Sequence, residues 1–578
     1  MKSSDYLVSL LKQNGIKDVF GYQGTMIAHF VDSVYKIDGI TNHMCYNEQG
    51  AAFAAVGHAK TTGKCAVAFA TSGPGAMNLL SGVADAFYDS APVVFITGQL
   101  NSYEYTGISE LRQQGFQEAD VVSMAKPVTK YAVQVTDIAD LRYEFEKAFY
   151  IANEGRKGPV LIDLPMDLQR QEIEPEGLRA FVPEEKSLGC KNCYTAAADT
   201  ILTALKEAKR PLILLGNGIV KGSATHQKTL ELVRTLGIPV ITSLPARHLF
   251  DFDDELNFGF LGAAYGHRYT NILAYKKADL IVSLSCSFCR RQTGAKSENF
   301  AKDAKIIRVD VDKTELLRKV HSDETAFNLD YDVLVDYLLT SAQNLCKQEW
   351  LSYAKDIRAK LNDFDNSCKE REPNFYLDVI SDFCDKDTVV CCDVGQHQIW
   401  TAQSLKVKDN CKVLYSGGHG AMGFALPAAI GAYYATGKNT VAICGDGAMQ
   451  MNIQELQWLY REQLPVTVFV LNNSSLGLIQ QQQDDFFGGN HFGSVEEGGY
   501  DTPDFCAVAK AYKLNAYKVS TLDELKSVIS SLDKSKPNVV EVILDVASKA
   551  YPKTYFGEEM YNQKPYISEQ LMKEILDF

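Results

Sequence analysis

The sequence lacks the features of a membrane-embedded, secreted or nucleic-acid-binding protein. It contains no stretch of about 18 apolar residues, so we expect no membrane span and no membrane partner. Its net charge is −14, whereas binding to a nucleic-acid backbone normally needs a basic face, so we expect no nucleic-acid partner. The first residues also lack the apolar core and cleavage site of a signal peptide. We therefore predict a cytoplasmic protein.

Cysteine is abundant, with 14 residues, but its spacing does not predict a metal centre. Two pairs have CxxC spacing: Cys190 with Cys193, and Cys286 with Cys289. The two pairs are too far apart in sequence for the usual zinc ribbon, although a zinc site built from both remains the alternative. We expect reduced thiols in a reducing cytosol.

Short apolar runs rich in Val and Ile recur between amphipathic helical patterns. They lack polar alternation, which is typical of strands buried on both faces of a parallel sheet. Helices between such strands predict the α/β class. The clearest runs are 66–70, 93–97, 160–164, 212–215, 240–242, 280–284, 306–309, 389–392, 441–444, 466–471 and 539–544.

These runs fall into three groups, which predict three doubly wound parallel-sheet domains. The chain has 578 residues, and domains usually have about 100–200. We place the domains at residues 1–180, 191–345 and 370–578. The charged stretches 169–185 and 347–373 separate them.

The segment 439–473 contains the pattern that predicts a metal and cofactor site. A predicted strand leads into Gly445, which permits a tight turn, and Asp446 follows. After a helix predicted over 453–461, a second strand leads into Asn473. Both side chains should therefore lie at neighbouring strand ends, where open α/β sheets bind ligands. A carboxylate and an amide oxygen suit Mg²⁺, which takes phosphate oxygens as further ligands, so we predict a diphosphate-bearing cofactor.

The GDG tripeptide at 445–447 and the NN pair at 472–473 resemble the thiamine-diphosphate motif. The chain as a whole resembles the acetolactate-synthase-like branch of the thiamine-diphosphate-dependent enzymes (acetohydroxyacid synthase large subunit-like). The resemblance implies an N-terminal pyrimidine-binding domain, a central domain and a C-terminal domain that binds diphosphate and Mg²⁺. The segments that carry it are 47–50, 71–75, 116–120, 158–160, 395–398 and 416–423.

The resemblance also implies roles for individual residues. The expected Mg²⁺ ligands are Asp446, Asn473 and the carbonyl of Ser475. The other residues expected to hold the cofactor from the third domain are Gln396, His397, His419, Gly420, Met422, Gly447, Ala448, Leu476 and Gly477. Those expected to close the site from the first domain are Tyr22, Gly24, Ser72 and Gln117.

Glu48 receives the central chemical role from this resemblance. Its carboxyl is expected to hydrogen-bond the pyrimidine ring of the cofactor and so prepare it for a 2-oxo acid. Gln117 is expected as a second catalytic residue. The residues alone leave another interpretation, because an acidic residue in the first turn of a helix is favoured by the helix dipole.

The chain departs from the family where the acceptor is selected. Gln482 takes the place of a tryptophan that favours a 2-oxobutyrate acceptor, so we expect a different acceptor. The run of four glutamines at 480–483 suits a polyhydroxylated or carboxamide-like partner, or is a solvated helix face. Phe116 and Arg291 are expected to bind substrate together with Gln482.

Bound FAD stays open. The central domain of true synthases binds FAD, and Arg156 resembles a flavin-contacting arginine. The segment 285–291 does not keep the family pattern, and Ser287 stands where an arginine is usual. His419 is expected to act either as an acid/base group near neutral pH or as a structural or phosphate-contacting residue.

The implied activity is decarboxylation of a 2-oxo acid, with pyruvate as the expected substrate, and carboligation of the two-carbon unit to an acceptor carbonyl. The alternatives are acetyl transfer to a keto-sugar in polysaccharide synthesis, a 2-oxo acid decarboxylase or acyl-CoA lyase, and a non-catalytic homologue. The sequence has no His-His pair, which favours transfer over aldehyde release. In the family the site lies between subunits, so we expect a homodimer or homotetramer.

Overall fold

The computed structural model describes residues 1–108, 110–184 and 189–577, and its main feature is three six-stranded sheets flanked by helices. The strands of each sheet pair in parallel. This confirms the predicted α/β class with three doubly wound domains. The domain limits themselves stay a prediction.

The first sheet has the strand order β2-β1-β3-β4-β6-β5. Its strands are β1 Asp18–Gly21, β2 Thr41–Met44, β3 Ala66–Ala70, β4 Val93–Gln99, β5 Tyr131–Gln134 and β6 Val160–Pro165. The α-helices around it are α1 Ser3–Gln13, α2 Ala28–Lys36, α3 Glu48–Thr62, α4 Pro74–Tyr88, α5 Val121–Ala125, α6 Leu141–Asn153 and α7 Met166–Arg170.

The central sheet has the order β12-β11-β10-β7-β8-β9. Its strands are β7 Pro211–Leu215, β8 Val240–Thr242, β9 Asn257–Phe260, β10 Leu280–Leu284, β11 Lys305–Asp310 and β12 Glu324–Asn328. Its α-helices are α8 Lys191–Glu207, α9 Ala224–Leu236, α10 Arg268–Asn271, α11 Arg290–Thr293, α12 Lys313–Leu317 and α13 Tyr331–Ser341.

The third sheet has the order β14-β13-β15-β16-β18-β17. Its strands are β13 Val389–Cys392, β14 Lys412–Tyr415, β15 Thr440–Gly445, β16 Val466–Asn472, β17 Asn515–Val519 and β18 Asn538–Ile543, and a hairpin of β19 Lys553–Thr554 and β20 Gln563–Lys564 follows. The helices around this sheet are α15 Glu372–Phe383, α16 Gln396–Ser404, α17 Ala425–Thr436, α18 Asp446–Met451, α19 Leu456–Glu462, α20 Gly477–Phe486, α21 Phe505–Ala511 and α22 Leu522–Ser531. Two further helices, α14 Gln348–Ser367 and α23 Glu569–Leu576, pack on the core of the central sheet.

The first and third domains meet through small residues on α3 and α17. A β-carbon at Gly57 would lie 2.3 Å from the carbonyl oxygen of Ala428, and one at Gly431 would lie 1.8 Å from that of Ala54. These glycines therefore let the two helices approach to backbone contact. Because Glu48 begins α3, this contact sets its position relative to the third domain.

The helical segment predicted over 453–461 is present, but a further helix before it was not predicted. The chain forms α18 directly after β15, then a 3₁₀ turn at Ile453–Glu455, and then α19. Asn452 separates α18 from that turn, and its side-chain amide donates to the carbonyl of Gly423 over 2.9 Å and to Gln49 over 3.0 Å. These bonds hold Asn452 in a non-helical conformation, with a ψ of 34°, between the two helices. The hydrophobic periodicity of the sequence could not reveal this break.

The end of the chain returns to the central domain. Ile567 and Ile575 pack into the hydrophobic core of the central sheet, and the Lys277 amine donates to the carbonyl of Leu576 over 2.6 Å. Along the part of the chain that the structure describes, no helix combines the length and hydropathy of a membrane span.

Candidate active site

The carboxyl ends of two neighbouring strands bring the predicted Mg²⁺ ligands together. β15 and β16 pair in parallel as far as Gly445 opposite Leu471, so Asp446 and Asn473 follow adjacent strand ends. Oδ2 of Asp446 accepts the backbone N–H of Ser475 over 3.0 Å. All three residues are at most 5% exposed. They form one buried cluster at the carboxyl edge of the sheet.

Gln396 and His397 begin α16 beside this cluster. Oε1 of Gln396 accepts the side-chain N–H of Asn473 over 3.1 Å, and the His397 ring is hydrogen-bonded to Asp393. A β-carbon at Gly445 would lie 2.7 Å from Nδ1 of His397. Gly445 has an ordinary extended φ of −81°, so the expected tight turn is wrong: close approach of the imidazole requires the glycine.

Two glycines, Gly447 and Gly477, allow close packing of the side chains beside this cluster. A β-carbon at Gly447 would lie 2.6 Å from Cδ2 of Leu476 and 3.2 Å from Cε of Met422. One at Gly477 would lie 1.9 Å from Oε1 of Gln396. The structure thus brings these predicted cofactor residues together, and the neighbouring Ala448 is buried.

The donor set fits Mg²⁺ and a diphosphate. The amide nitrogen of Asn473 donates to Gln396, which leaves its oxygen for a cation. Burial raises the pKa of Asp446, while the N–H groups of Gly447 and Ser475 act in the opposite direction. A cation at this carboxylate would offset the cost of burying its charge.

Glu48 lies in a second buried group, in the first domain. It is 7% exposed, and Oε2 accepts the side-chain N–H of Asn78 over 3.0 Å. A β-carbon at Gly75 would lie 2.9 Å from Oε1 of Glu48. The hydroxyl of Ser72 is buried without a hydrogen-bond partner in the described chain, which suits a hydroxyl that faces a ligand. Asn78 belongs to this group, and sequence motifs gave no sign of it.

Glu48 also satisfies the structural alternative. The Asn47 side chain accepts the N–H of Gln49 over 2.8 Å and so caps α3, whose first residue is Glu48. The carboxylate therefore occupies the position that the helix dipole favours and still faces Asn78. The two interpretations are compatible.

Gln117 and Gly24 pack against the turn that precedes α4. Gln117 has a left-handed φ of 62°, and its carbonyl oxygen would lie 2.6 Å from a β-carbon at Gly73. A β-carbon at Gly24 would lie 2.4 Å from Cβ of Thr71. Both predicted residues therefore lie next to the segment that leads to Gly75.

Five predicted site residues lie on the surface of the single chain. Tyr22 is 39% exposed and Phe116 is 81% exposed. His419, Arg291 and Gln482 are also exposed. One chain by itself does not enclose them.

Arg291, on α11 of the central domain, contacts the loop of the third domain that carries His419. The Arg291 guanidinium donates to Oε1 of Gln398 over 3.3 Å and to the carbonyl of Gly417 over 3.5 Å. The His419 ring stacks on Tyr88, with ring centroids 5.7 Å apart. The next residue, Gly420, has a φ of 71°, which favours glycine.

The four glutamines of α20 do not share one environment. Gln480 accepts the Ser475 hydroxyl over 2.7 Å, Gln481 accepts the N–H of Ala550 over 3.0 Å, and Gln483 is buried. Gln482 alone among the four is exposed. The run is therefore mostly structural, and a single amide faces outward.

A charged cluster at the end of α4 was not anticipated. Asp85 is fully buried and accepts the hydroxyl of Ser416, and Lys60 pairs with Asp89 and donates to the carbonyl of Tyr415 over 2.7 Å. Burial raises the pKa of Asp85 to about 7. This cluster ties the first domain to the loop that carries His419.

The arginine that resembles a flavin-contacting residue is paired with carboxylates of the central domain. Arg156 forms ion pairs with Asp312 at 3.1 Å and with Glu315 at 2.7 Å, so its charge is already neutralised. At the switch point between β7 and β10, a β-carbon on Gly216 would lie 1.8 Å from the carbonyl oxygen of Ser285. Gly216 therefore lets the chain after β7 approach the chain after β10 closely, at the edge where such sheets bind dinucleotides.

Comparison with known proteins gives whole-length matches. Three thiamine pyrophosphate enzyme family models match: the N-terminal TPP binding domain over residues 1–124, the central domain over 198–333, and the C-terminal TPP binding domain over 393–542. Acetolactate synthase 1, chloroplastic, of Zea mays is 34% identical over 94% of this chain and 85% of its own length. Acetolactate synthase isozyme 1 large subunit of Escherichia coli (strain K12) is 33% identical over 95% of each chain.

The acetolactate synthase large subunit of Corynebacterium glutamicum is similar to the same degree, with 33% identity over 96% of this chain and 89% of its own. The matched C-terminal model includes the cluster of Asp446 and Asn473, and the N-terminal model includes Glu48. Since the matches cover the three sheets and the buried oxygen donors lie where a diphosphate and Mg²⁺ would be held, the chain belongs to the acetolactate-synthase-like branch of the thiamine pyrophosphate enzyme family.

Proposed function

We propose that this chain is a Mg²⁺- and thiamine-diphosphate-dependent carboligase, which decarboxylates a 2-oxo acid and joins the two-carbon unit to an acceptor carbonyl. The observation that carries the proposal is the buried cluster of Asp446, Asn473 and Ser475 at adjacent strand ends, in a chain similar to acetolactate synthases over its whole length. Pyruvate is the proposed donor.

In this proposal, the third domain holds the diphosphate end. Asp446, Asn473 and the carbonyl of Ser475 bind Mg²⁺, and Gln396 and His397 contact the diphosphate. When bound, the thiamine supplies an electron-accepting ring that lets CO₂ leave. Asp393 orients the His397 ring through its hydrogen bond, so the imidazole keeps one direction towards Gly445.

Glu48 is the proposed proton-handling group. Its carboxylate is buried, and Asn78 occupies Oε2 at 3.0 Å, so Oε1 remains for a ring nitrogen of the pyrimidine. The glycine at 75 leaves space beside that oxygen. Gln117 is the proposed second catalytic residue, because it packs next to the same turn.

The proposal includes a homo-oligomer, either a homodimer or a homotetramer. Tyr22 and Phe116 belong to the first domain and are 39% and 81% exposed in the single chain. Contact with a second copy of the chain is the simplest way to bury them. We place the protein in a reducing cytoplasm, where 14 free cysteines would persist.

Gln482 is the proposed acceptor-selecting residue. It is the exposed amide of α20, and Ile479, one turn before it, is 45% exposed. An amide next to an apolar side chain suits an acceptor that carries hydroxyl groups, so acetyl transfer to a keto-sugar is the second candidate reaction. We propose that no flavin takes part, because Arg156 is engaged by Asp312 and Glu315.

The test is product analysis with the purified protein, thiamine diphosphate, Mg²⁺ and pyruvate, alone and with a panel of 2-oxo acids and keto-sugars. We expect acetolactate or a branched sugar, identified by mass spectrometry. Acetaldehyde without any ligated product would contradict the carboligase and favour a simple decarboxylase. A flavin absorbance band in the purified protein would contradict the proposal that no flavin takes part.

The Glu48→Gln variant tests the chemical role. We expect turnover to fall by a factor of 100 or more, of the order seen when a positioned proton-transfer group is removed. Glu569→Gln is the matched control, since Glu569 also begins a helix but lies far along the chain on α23. Full activity of Glu48→Gln would contradict the mechanism, and loss in both variants would point to folding.

A further inference from the structure

An exposed pair of cysteines marks the start of the central domain. Cys190 and Cys193 are both exposed, and their Sγ atoms lie 2.8 Å apart. That separation is within about 1 Å of the ~2.05 Å length of a disulfide bond. The proposed carboligase chemistry makes no use of either thiol.

The start of α8 holds the two thiols face to face. Cys190 is the N-cap of this 17-residue helix and Cys193 is its third residue, and the N–H of Cys193 donates to the carbonyl of Cys190 over 2.9 Å. Side chains at these two positions point at each other in capped helices. Two hydrogen bonds from Cys193 lower the pKa of the Cys190 thiol: the larger effect comes from the Cys193 thiol and the smaller from its backbone N–H. The helix dipole acts in the same direction.

The second CxxC pair shows that spacing alone does not give this arrangement. Cys286 is 4% exposed, and its sulfur accepts the side-chain N–H of Gln292 over 3.3 Å. Burial raises the pKa of the Cys286 thiol to about 12. The chain therefore contains one pair with both thiols exposed and a second pair, of the same spacing, in which Cys286 is buried.

We propose that Cys190 and Cys193 form a redox-active dithiol site whose co-reactant is a low-molecular-weight disulfide of the glutathione disulfide class. The Cys190 thiolate attacks one sulfur of that disulfide, a Cys190–S–S bond forms, and one thiolate leaves. Cys193 then gives up its proton and attacks the Cys190 sulfur, which releases the second thiolate. Two cysteine thiols are oxidised to one disulfide, and one external disulfide is reduced to two thiols.

Oxidation does not require the domains to move, because both thiols lie at the first turn of α8 with their Sγ atoms 2.8 Å apart. The residue before it, Gly189, has a φ of 109°, and a β-carbon there would lie 2.8 Å from Cδ2 of Leu329. Gly189 therefore fixes the approach to α8 against the core of the central domain, in which Leu329 is buried. We expect the disulfide to form within the native fold.

The test is a titration of the full-length protein in glutathione redox buffers, with trapping of free thiols and peptide mass spectrometry. We expect an intramolecular disulfide between Cys190 and Cys193, while Cys286 and Cys289 stay reduced. With a thiol-alkylating reagent at neutral pH, Cys190 should react at least about tenfold faster than Cys286.

Two single variants separate the roles. Cys193→Ser should accumulate a mixed disulfide on Cys190, whereas Cys190→Ser should not accumulate one on Cys193 at a comparable rate. Cys286→Ser is the control and should oxidise like the unchanged protein. A pair that stays reduced across the titration, equal mixed-disulfide formation in both variants, or a metal ion retained by both thiols would overturn the proposal. Because the titration of the unchanged protein needs no variant, poor folding of a variant leaves the test intact.

Discussion

Asp89 accepts a hydrogen bond from the backbone N–H of Gly418 over 2.6 Å, and so joins the first domain to a loop of the third. Its other carboxylate oxygen accepts the N–H of Gly417 over 2.9 Å. Lys60 pairs with the same carboxylate and lies 3.9 Å from Asp85. Because this loop continues into His419 and Gly420, one aspartate sets the position of two predicted cofactor residues.

The Asp89→Asn variant should loosen this loop. Asparagine keeps one acceptor oxygen, so one of the two glycine N–H groups loses its partner and Lys60 loses its ion pair with Asp89. We expect the free energy of unfolding to fall by about 1–3 kcal/mol, and the affinity for thiamine diphosphate to fall as well. Denaturant unfolding and calorimetric titration measure the two effects. Asp523→Asn, on a fully solvated helix turn, is the control; unchanged cofactor affinity in Asp89→Asn would contradict the positioning role.

The Asp446→Asn variant should abolish Mg²⁺-dependent cofactor binding. It removes the only carboxylate among the three proposed ligands, whereas its neighbours Gly447 and Ser475 keep their backbone N–H groups. We expect thiamine diphosphate affinity to fall at least about 100-fold, with the apoprotein still folded. Calorimetric titration with and without Mg²⁺ is the measurement. Affinity that stays at the level of the unchanged protein would show that the metal lies elsewhere.

Glu455 should make stability depend on pH. It is fully buried between the domains, where both its oxygens accept the N–H of Tyr46 at 3.1 Å, and burial raises its pKa to about 7 from 4.5. Arg461 acts in the opposite direction, while the thiol of Cys45 faces it as a neutral group. Between about pH 4.5 and 7 the unfolded chain loses this proton before the folded chain does. The stabilisation from this proton is therefore lost as pH rises through that window.

The Glu455→Gln variant should remove that dependence. Glutamine stays neutral, so relative to the unchanged protein it should gain up to about 3 kcal/mol between pH 5 and pH 8. Urea unfolding at the two pH values measures the gain. Glu349→Gln, on an exposed helix start, is the control. The same difference between Glu455→Gln and the unchanged protein at both pH values would contradict the shifted pKa.

Gln482→Trp should change the choice of acceptor. The family resemblance associates a tryptophan at this position with 2-oxobutyrate, and Gln482 is exposed, so the larger ring can be accommodated. In competition between pyruvate and 2-oxobutyrate, we expect the product ratio to shift about tenfold towards the 2-oxobutyrate product, which corresponds to about 1.4 kcal/mol. Gln348→Trp, at an exposed helix start, should leave the ratio unchanged.

Strands buried on both faces could be predicted from the sequence, because burial leaves a continuous apolar run. All of the clearest runs form strands, among them β15 and β16, which lead to Asp446 and Asn473. Shorter and more polar strands such as β2 and β12 were not predicted, because their half-exposed residues resemble loops. Gln480 and Gln482 illustrate the same limit within one helix, since identical side chains differ only in the face they occupy.

The sequence by itself determined the fold class and the cofactor, and it predicted the hard oxygen ligands, because each of these depends on contiguous patterns: buried runs, GDG and NN. Only the tertiary structure decided which of two CxxC pairs is exposed with its sulfur atoms close together, that Gly445 accommodates an imidazole, and that Asp89 and Glu455 join the domains. These properties arise from atoms far apart in the chain. Burial, close approach and charge pairing between distant segments depend on how the three sheets are packed together.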